Sequence, residues 1–171
     1  MSADDPLTGE ASLARAPPRS LPEVVPFDSA LPATPAAPSE PWLVGVDSFG
    51  LPVEVDLAGS AHGLIAGATR SGKSVATYGL LTHILRMGDA VRLLVADPND
   101  TTIAPFEKLT SWATSSVTPE PVTDALRWLR AEMHRRKPIL RELKRDQITE
   151  FTPELPLIVM VIDEAANYLL S

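Results

Sequence analysis

Eight residues, GATRSGKS at 67–74, constrain this chain more than any other stretch. They fit G-x-x-x-x-G-K-[ST], with Gly67, Gly72, Lys73 and Ser74 at the four specified positions. Each type has a physical task. Glycines let the backbone curl until several N–H groups point inward at phosphate oxygens. A helix starting near Gly72 adds the positive end of its dipole. Lys73 has the length to reach the β- and γ-phosphates, and the Ser74 hydroxyl is a hard oxygen ligand for magnesium. The candidate cofactor cradle is therefore Gly67, Ala68, Thr69, Arg70, Ser71, Gly72, Lys73, Ser74 and Val75, and it calls for the phosphates of a nucleotide together with Mg2+.

Such a loop works only between a strand and a helix. HGLIA before it reads as a short buried strand, and VATYGLLTHILRM after it has helical length, with Gly88 placed as its stop. VRLLVA is a second buried-type strand and ends in the turn Asp97-Pro98-Asn99-Asp100; a turn-forming Asp-Pro pair explains Asp97 adequately. A less regular region runs to Val117. Thr118 then reads as a helix cap with Pro119 in the first turn, and Leu126, Leu129 and Met133 recur at helical spacing. Pro138 should break that helix, since a proline inside costs about 3 kcal/mol, leaving a second short helix over 139–146. PLIVMVI is a third apolar strand. Ahead of all this, WLVGVD and LPVEVDL with Ser48-Phe49-Gly50 between them read as a hairpin. Uniformly apolar strands alternating with helices predict an α/β fold, a parallel sheet covered on both faces.

The last strand delivers Asp163-Glu164 at its C-terminal end, the edge where ligands gather in parallel sheets. Asp163 would hold magnesium, and Glu164 would orient and activate an attacking water. Two acids at a helix start could be there for the dipole alone. With the loop upstream, the paired site is the favoured reading.

Composition narrows the remaining choices. Nine of the 17 prolines precede Trp42, so residues 1–40 are expected to be a disordered Pro/Ala-rich tail and 41–171 the folded part. There is no cysteine, hence no disulfide framework and no thiolate metal site. His62, His83 and His134 lack ligand-like spacing. A net charge of -7 argues against a whole-surface affinity for nucleic acid, although residues 127–145 hold eight basic side chains against Glu132 and Glu142, a local +6. A solvated helix face is its plainer explanation. MSADD is acidic where a signal peptide would be basic, and LIVMVI is too short to span a bilayer, so a cytoplasmic protein without a transmembrane segment is expected.

HGLIAGATRSGKSV, LLVADPND, EMHRRKPIL and LPLIVMVIDEAANYL, in this order and spacing, resemble the motor domain of FtsK/SpoIIIE-type DNA translocases, over about residues 42–170. The resemblance implies a RecA-like P-loop ATPase that moves double-stranded DNA as a ring, usually a homo-hexamer. It implies Lys73 on the phosphates, Ser74 and Asp163 on magnesium, and Lys73 and Glu164 as the catalytic pair. Arg70 stands where many members have glycine, Asp97-Pro98-Asn99-Asp100 where they often have DPK, and Pro138 where a tyrosine-like residue is common. In the family a further strand lies between the loop strand and the acidic strand. Ser171 comes seven residues after Glu164, so the resemblance implies a motor truncated there, or a strand supplied by another chain. The alternatives are a type IV coupling or secretion-type ring ATPase, or a nucleotide-binding protein without turnover.

Overall fold

In the computed structural model residues 36–169 are described. The expectation for the tail at 1–35 falls outside them. Packing begins ahead of Trp42: Ala36 is buried in the core and its N–H bonds the Arg86 carbonyl at 3.2 Å.

The hairpin forms as the sequence suggests. Strands β1 (Trp42–Val46) and β2 (Pro52–Val55) pair antiparallel, with an irregularity between Leu43 and Gly45. The Asp47 carboxylate closes the turn by accepting the N–H groups of Phe49 at 2.8 Å and Leu51 at 2.9 Å. Gly50 takes the φ of 78° that an L side chain would resist.

A separate parallel sheet has the order β4-β3-β5. Its middle strand β3 (Val91–Ala96) runs in register with β5 (Leu157–Ile162), from Val91 opposite Leu157 to Ala96 opposite Ile162. The short strand β4 (Trp112–Thr114) flanks β3 on its other side. It lies in the stretch expected to be irregular, since three residues are too few to show periodicity.

Helix α1 (Lys73–Leu85) covers one face of this sheet. Leu81 and Ile84 pack with Leu93, Val95 and Ile103 in the buried core. Arg92 and Leu94 alternate to the opposite face, as the period of two requires, and line a cleft of about 600 Å³ against the second helix, α2 (Glu120–Leu143). Gly88 follows α1 at a φ of 59°, in keeping with its expected role as the stop.

Three expectations need correction. Residues 62–68 form no strand: they are exposed, with Leu64 at 90% of its full accessibility. A strand needs a ladder partner, and this stretch joins neither described sheet. Next, α2 starts at Glu120 with Pro119 in the capping position and no side-chain cap; the Thr118 hydroxyl instead meets that of Ser116 at 3.2 Å. Finally, Pro138 does not break α2, which runs on to Leu143, so the separate helix over 139–146 is not formed. Pro138 and His134, whose carbonyl loses its partner there, are both exposed, so water can take the freed acceptor.

The middle of α2 is anchored by charge. The Glu132 carboxylate accepts two hydrogen bonds from Arg135, both 2.6 Å, and one from Arg136 at 2.7 Å. Arg136 also donates to the Pro156 carbonyl at 2.8 Å, tying the helix to the entry of β5. The Arg135 hydrogen bonds are the largest cause holding the Glu132 carboxyl down at about 2, against partial burial, with Arg136 adding to the lowering. Because the folded value lies below the unfolded one, this stability is present above pH ~4.5 and is lost as pH falls from there toward 2. Glu132→Gln is expected to lower stability at neutral pH by about 1–2 kcal/mol and to flatten that acid limb, read from thermal melts at a series of pH values.

Candidate nucleotide-binding site

The glycine-rich loop reaches α1 through two left-handed residues, Arg70 at φ 66° and Gly72 at φ 91°. Gly72 occupies the helix N-cap position without a side-chain cap, and its carbonyl accepts the first helical bond from Ala76 at 2.9 Å. The Ser71 amide bonds the Ala68 carbonyl at 3.0 Å, which closes the curl, and a Cβ at Gly67 would collide with the Ser71 hydroxyl. Arg70 thus adopts the conformation glycine favours, at a cost of about 1–2 kcal/mol for an L residue. Gly67 through Gly72, with Ser74 and Val75, are all exposed, and Lys73 is half-buried.

Ninety residues further on, β5 ends at the same place. The Asp163 amide bonds the Ala96 carbonyl at 2.8 Å, which pins the end of β5 to the end of β3. Lys73 Nζ lies 2.9 Å from Asp163 Oδ1 and 3.4 Å from Glu164 Oε2. Lys73 and Asp163 shift each other. Its hydrogen bond to Asp163 is the main cause raising the Lys73 ammonium above its ordinary value, against some desolvation. For Asp163 burial is the largest single influence and pushes upward. Hydrogen bonds from Lys73, Thr102 and the Glu164 amide together outweigh it and leave the carboxyl below its ordinary value. Both groups are held in their charged forms. Glu164 itself stands at φ 47° and its side chain is 47% exposed, open to solvent on the loop side.

The structure therefore brings together Lys73, Asp163 and Glu164, with Ser74 one residue along α1 from Lys73. The donor set fits magnesium: two carboxylates and a hydroxyl are hard oxygens, and this ion keeps several waters and leans on phosphate rather than on an all-protein cage. No cluster of three His, Cys, Asp or Glu side chains capable of holding a metal by themselves occurs among the described residues. Val75 is 72% exposed.

Thr102 escaped the sequence reading, because no motif marks it. Its side chain is buried, and its hydroxyl donates to Asp163 Oδ2 at 2.7 Å. Asp97 also does more than close a turn. It is fully buried, and its carboxylate accepts the amides of Asn99 at 3.0 Å, Thr102 at 2.7 Å and Ile103 at 3.2 Å. No helix of the described residues is long and apolar enough to cross a membrane.

Comparison with known proteins places this geometry in context. Residues 31–170 match the model of the FtsK/SpoIIIE family. The chain is 36% identical over 139 residues to the DNA translocase SftA of Bacillus subtilis, covering 74% of this chain and 15% of that protein. It is 34% identical over 144 residues to the DNA translocase FtsK of Treponema pallidum, covering 77% of this chain and 18% of the other. With the DNA translocase FtsK of Lactiplantibacillus plantarum the identity is 30% over 184 residues, 96% of this chain and 23% of the relative. The chain thus spans less than a quarter of the length of these relatives.

Proposed function

The chain belongs to the FtsK/SpoIIIE family, and on that premise we propose that it is the ATP-binding part of a motor that couples nucleotide hydrolysis to the movement of double-stranded DNA. One observation carries the reading: Lys73 of the glycine-rich loop meets Asp163 and Glu164 of the acidic strand, at 2.9 and 3.4 Å, across 90 residues of sequence. A loop that merely resembled a phosphate cradle would have no reason to face two carboxylates at the carboxyl edge of a parallel sheet.

The roles follow from the side chains. The loop amides between Gly67 and Ser74 would cradle the phosphates, and Lys73 would exchange its carboxylate partners for β- and γ-phosphate oxygens. Ser74 and Asp163 would hold Mg2+, which when bound neutralises charge on the phosphate oxygens. Glu164, exposed and beside Lys73, would accept a proton from a water attacking the γ-phosphorus in line with the leaving oxygen. Double-stranded DNA would be gripped through its phosphates without regard to sequence, by a ring of copies, six in number, in the cytoplasm.

The test is phosphate release by the purified chain in Mg-ATP, with and without linear double-stranded DNA. The expected outcome is hydrolysis stimulated by DNA, with the stimulation falling as salt rises, since phosphate contacts release counterions. Hydrolysis indifferent to DNA would favour a ring ATPase with another cargo. Binding of Mg-ATP with no hydrolysis would leave a nucleotide-binding protein without turnover, and no response to Mg-ATP at all would overturn the reading.

A further inference from the structure

Asp163 has two carboxylate oxygens, and they face different company. Oδ1 accepts Lys73 Nζ at 2.9 Å and the Glu164 amide at 2.9 Å. Oδ2 accepts the Thr102 hydroxyl at 2.7 Å. Thr102 belongs to neither the glycine-rich loop nor the acidic strand; it lies in the connection between β3 and β4. We propose that Thr102 is a positioning residue, one that fixes the plane of the Asp163 carboxylate and so sets how tightly the site takes magnesium. The inference rests on the reading above, in which Asp163 is on the metal side of a nucleotide site.

The connection is built to hold that hydroxyl still. Thr102 is 1% exposed, and its amide is anchored to Asp97 Oδ2 at 2.7 Å, beside that of Ile103 at 3.2 Å. Asp97 is a carboxylate removed completely from water, with its own amide bonded to the Thr114 carbonyl of β4 at 3.0 Å. A buried carboxylate is tolerated only when its lone pairs are filled, and here three amides fill them. From the other side, the Tyr78 hydroxyl on α1 donates to the Thr101 carbonyl at 2.9 Å, and the Tyr78 ring leans on Phe106 with centroids 5.7 Å apart. The segment is thus clamped between the sheet and the helix that carries Lys73.

A carboxylate pinned through one oxygen presents the other in a defined direction. Without the Thr102 hydroxyl, Oδ2 loses a partner in a largely buried place, and the group is free to turn about its terminal torsion, which is soft. Both oxygens can then swing toward Lys73 Nζ. That strengthens the ion pair a metal must compete with, and it removes the fixed direction in which a metal or its water would be held. Partners that orient a metal ligand characteristically govern affinity by 10–100-fold.

The experiment is a Mg2+ titration of the binding of a fluorescent methylanthraniloyl-ATP to the full chain. For Thr102→Val, which keeps the shape and removes the hydroxyl, the Mg2+ midpoint is expected to rise about tenfold or more, a larger change than any in nucleotide binding measured in EDTA. Thr102→Ser is expected to restore the original midpoint. A Thr102→Val midpoint equal to that of the unsubstituted chain would overturn the inference, as would Thr102→Ser failing like valine, since packing alone would then explain the effect. Should Thr102→Val lose its cooperative melt, hydrogen exchange of the unsubstituted chain decides. The Thr102 and Ile103 amides are expected to slow further when Mg2+ is added to the ATP-bound protein, and no change there overturns the proposal. If the unsubstituted chain binds the nucleotide with no Mg2+ dependence, it is the function proposed above that fails, not the role of Thr102 within it.

Discussion

Lys73→Ala is expected to abolish the thermal stabilisation that Mg-ATP confers on this chain. A ligand at 100 times its dissociation constant raises the stability of the folded state by about 2.7 kcal/mol, several degrees in a domain of this size. The substitution removes the cation that the proposed cradle would bring to phosphate oxygens. It also leaves Asp163, whose side chain is only 13% exposed, without the ammonium 2.9 Å away that balances its charge. Two effects then work against nucleotide: a lost attraction, and a negative pocket with nothing to balance it. The unliganded melting temperature should fall much less, because the Lys73 side chain is 30% exposed and an ion pair so placed contributes little. Differential scanning of the two proteins with and without Mg-ATP separates the cases. An equal shift in both would mean that the nucleotide binds elsewhere.

The largest effect on turnover is expected at Glu164. Removing a general base that prepares an attacking water costs on the order of 10²–10⁴ in rate. Glu164→Gln keeps the size and the hydrogen-bonding reach of the side chain but cannot take a proton. Its contact with Lys73 is long, 3.4 Å, and half in solvent, so little binding is lost with the charge. The expected result is an ATP-loaded protein, with the Mg-ATP melt shift retained and phosphate release nearly gone. Measuring both on one preparation is decisive. Loss of binding together with turnover would assign Glu164 to the cradle, and retention of turnover would remove it from the chemistry.

The parts of this site that were legible in the sequence are those in which local chemistry and global position coincide. The G-x-x-x-x-G-K-S pattern states its own backbone requirement, and Gly72 at φ 91° meets it. LIVMVI followed by Asp163-Glu164 states a strand and what it delivers, and β5 ends beside Lys73 as that implies, although it stands at the sheet's edge and is half-buried along its length rather than buried. What could not be read depends on partners distant in the chain. Thr102 is one unremarkable threonine until Asp97 folds the connection beneath Asp163. The strand expected at HGLIA has the right side chains but no ladder to join, and apolar residues alone do not make a strand. Arg70 shows the reverse: a residue that resists positive φ is held at 66°, where a glycine would sit freely, and local strain absorbs the difference.

Helix α2 carries a last consequence of its proline. By shape it is one rod of 24 residues, about 36 Å long at 1.5 Å per residue. Its ladder of hydrogen bonds, however, lacks one rung, at Pro138. The rung that Pro138 cannot supply, to the His134 carbonyl, overlaps the end of the Glu132–Arg136 clasp that ties the helix to Pro156, and residues 139–143 extend beyond that brace. Unzipping can start from Leu143, travel back to the missing rung and stop there without disturbing the sheet. The break written into the sequence is thus present as a boundary in how the helix comes apart, although the helix itself runs on through it.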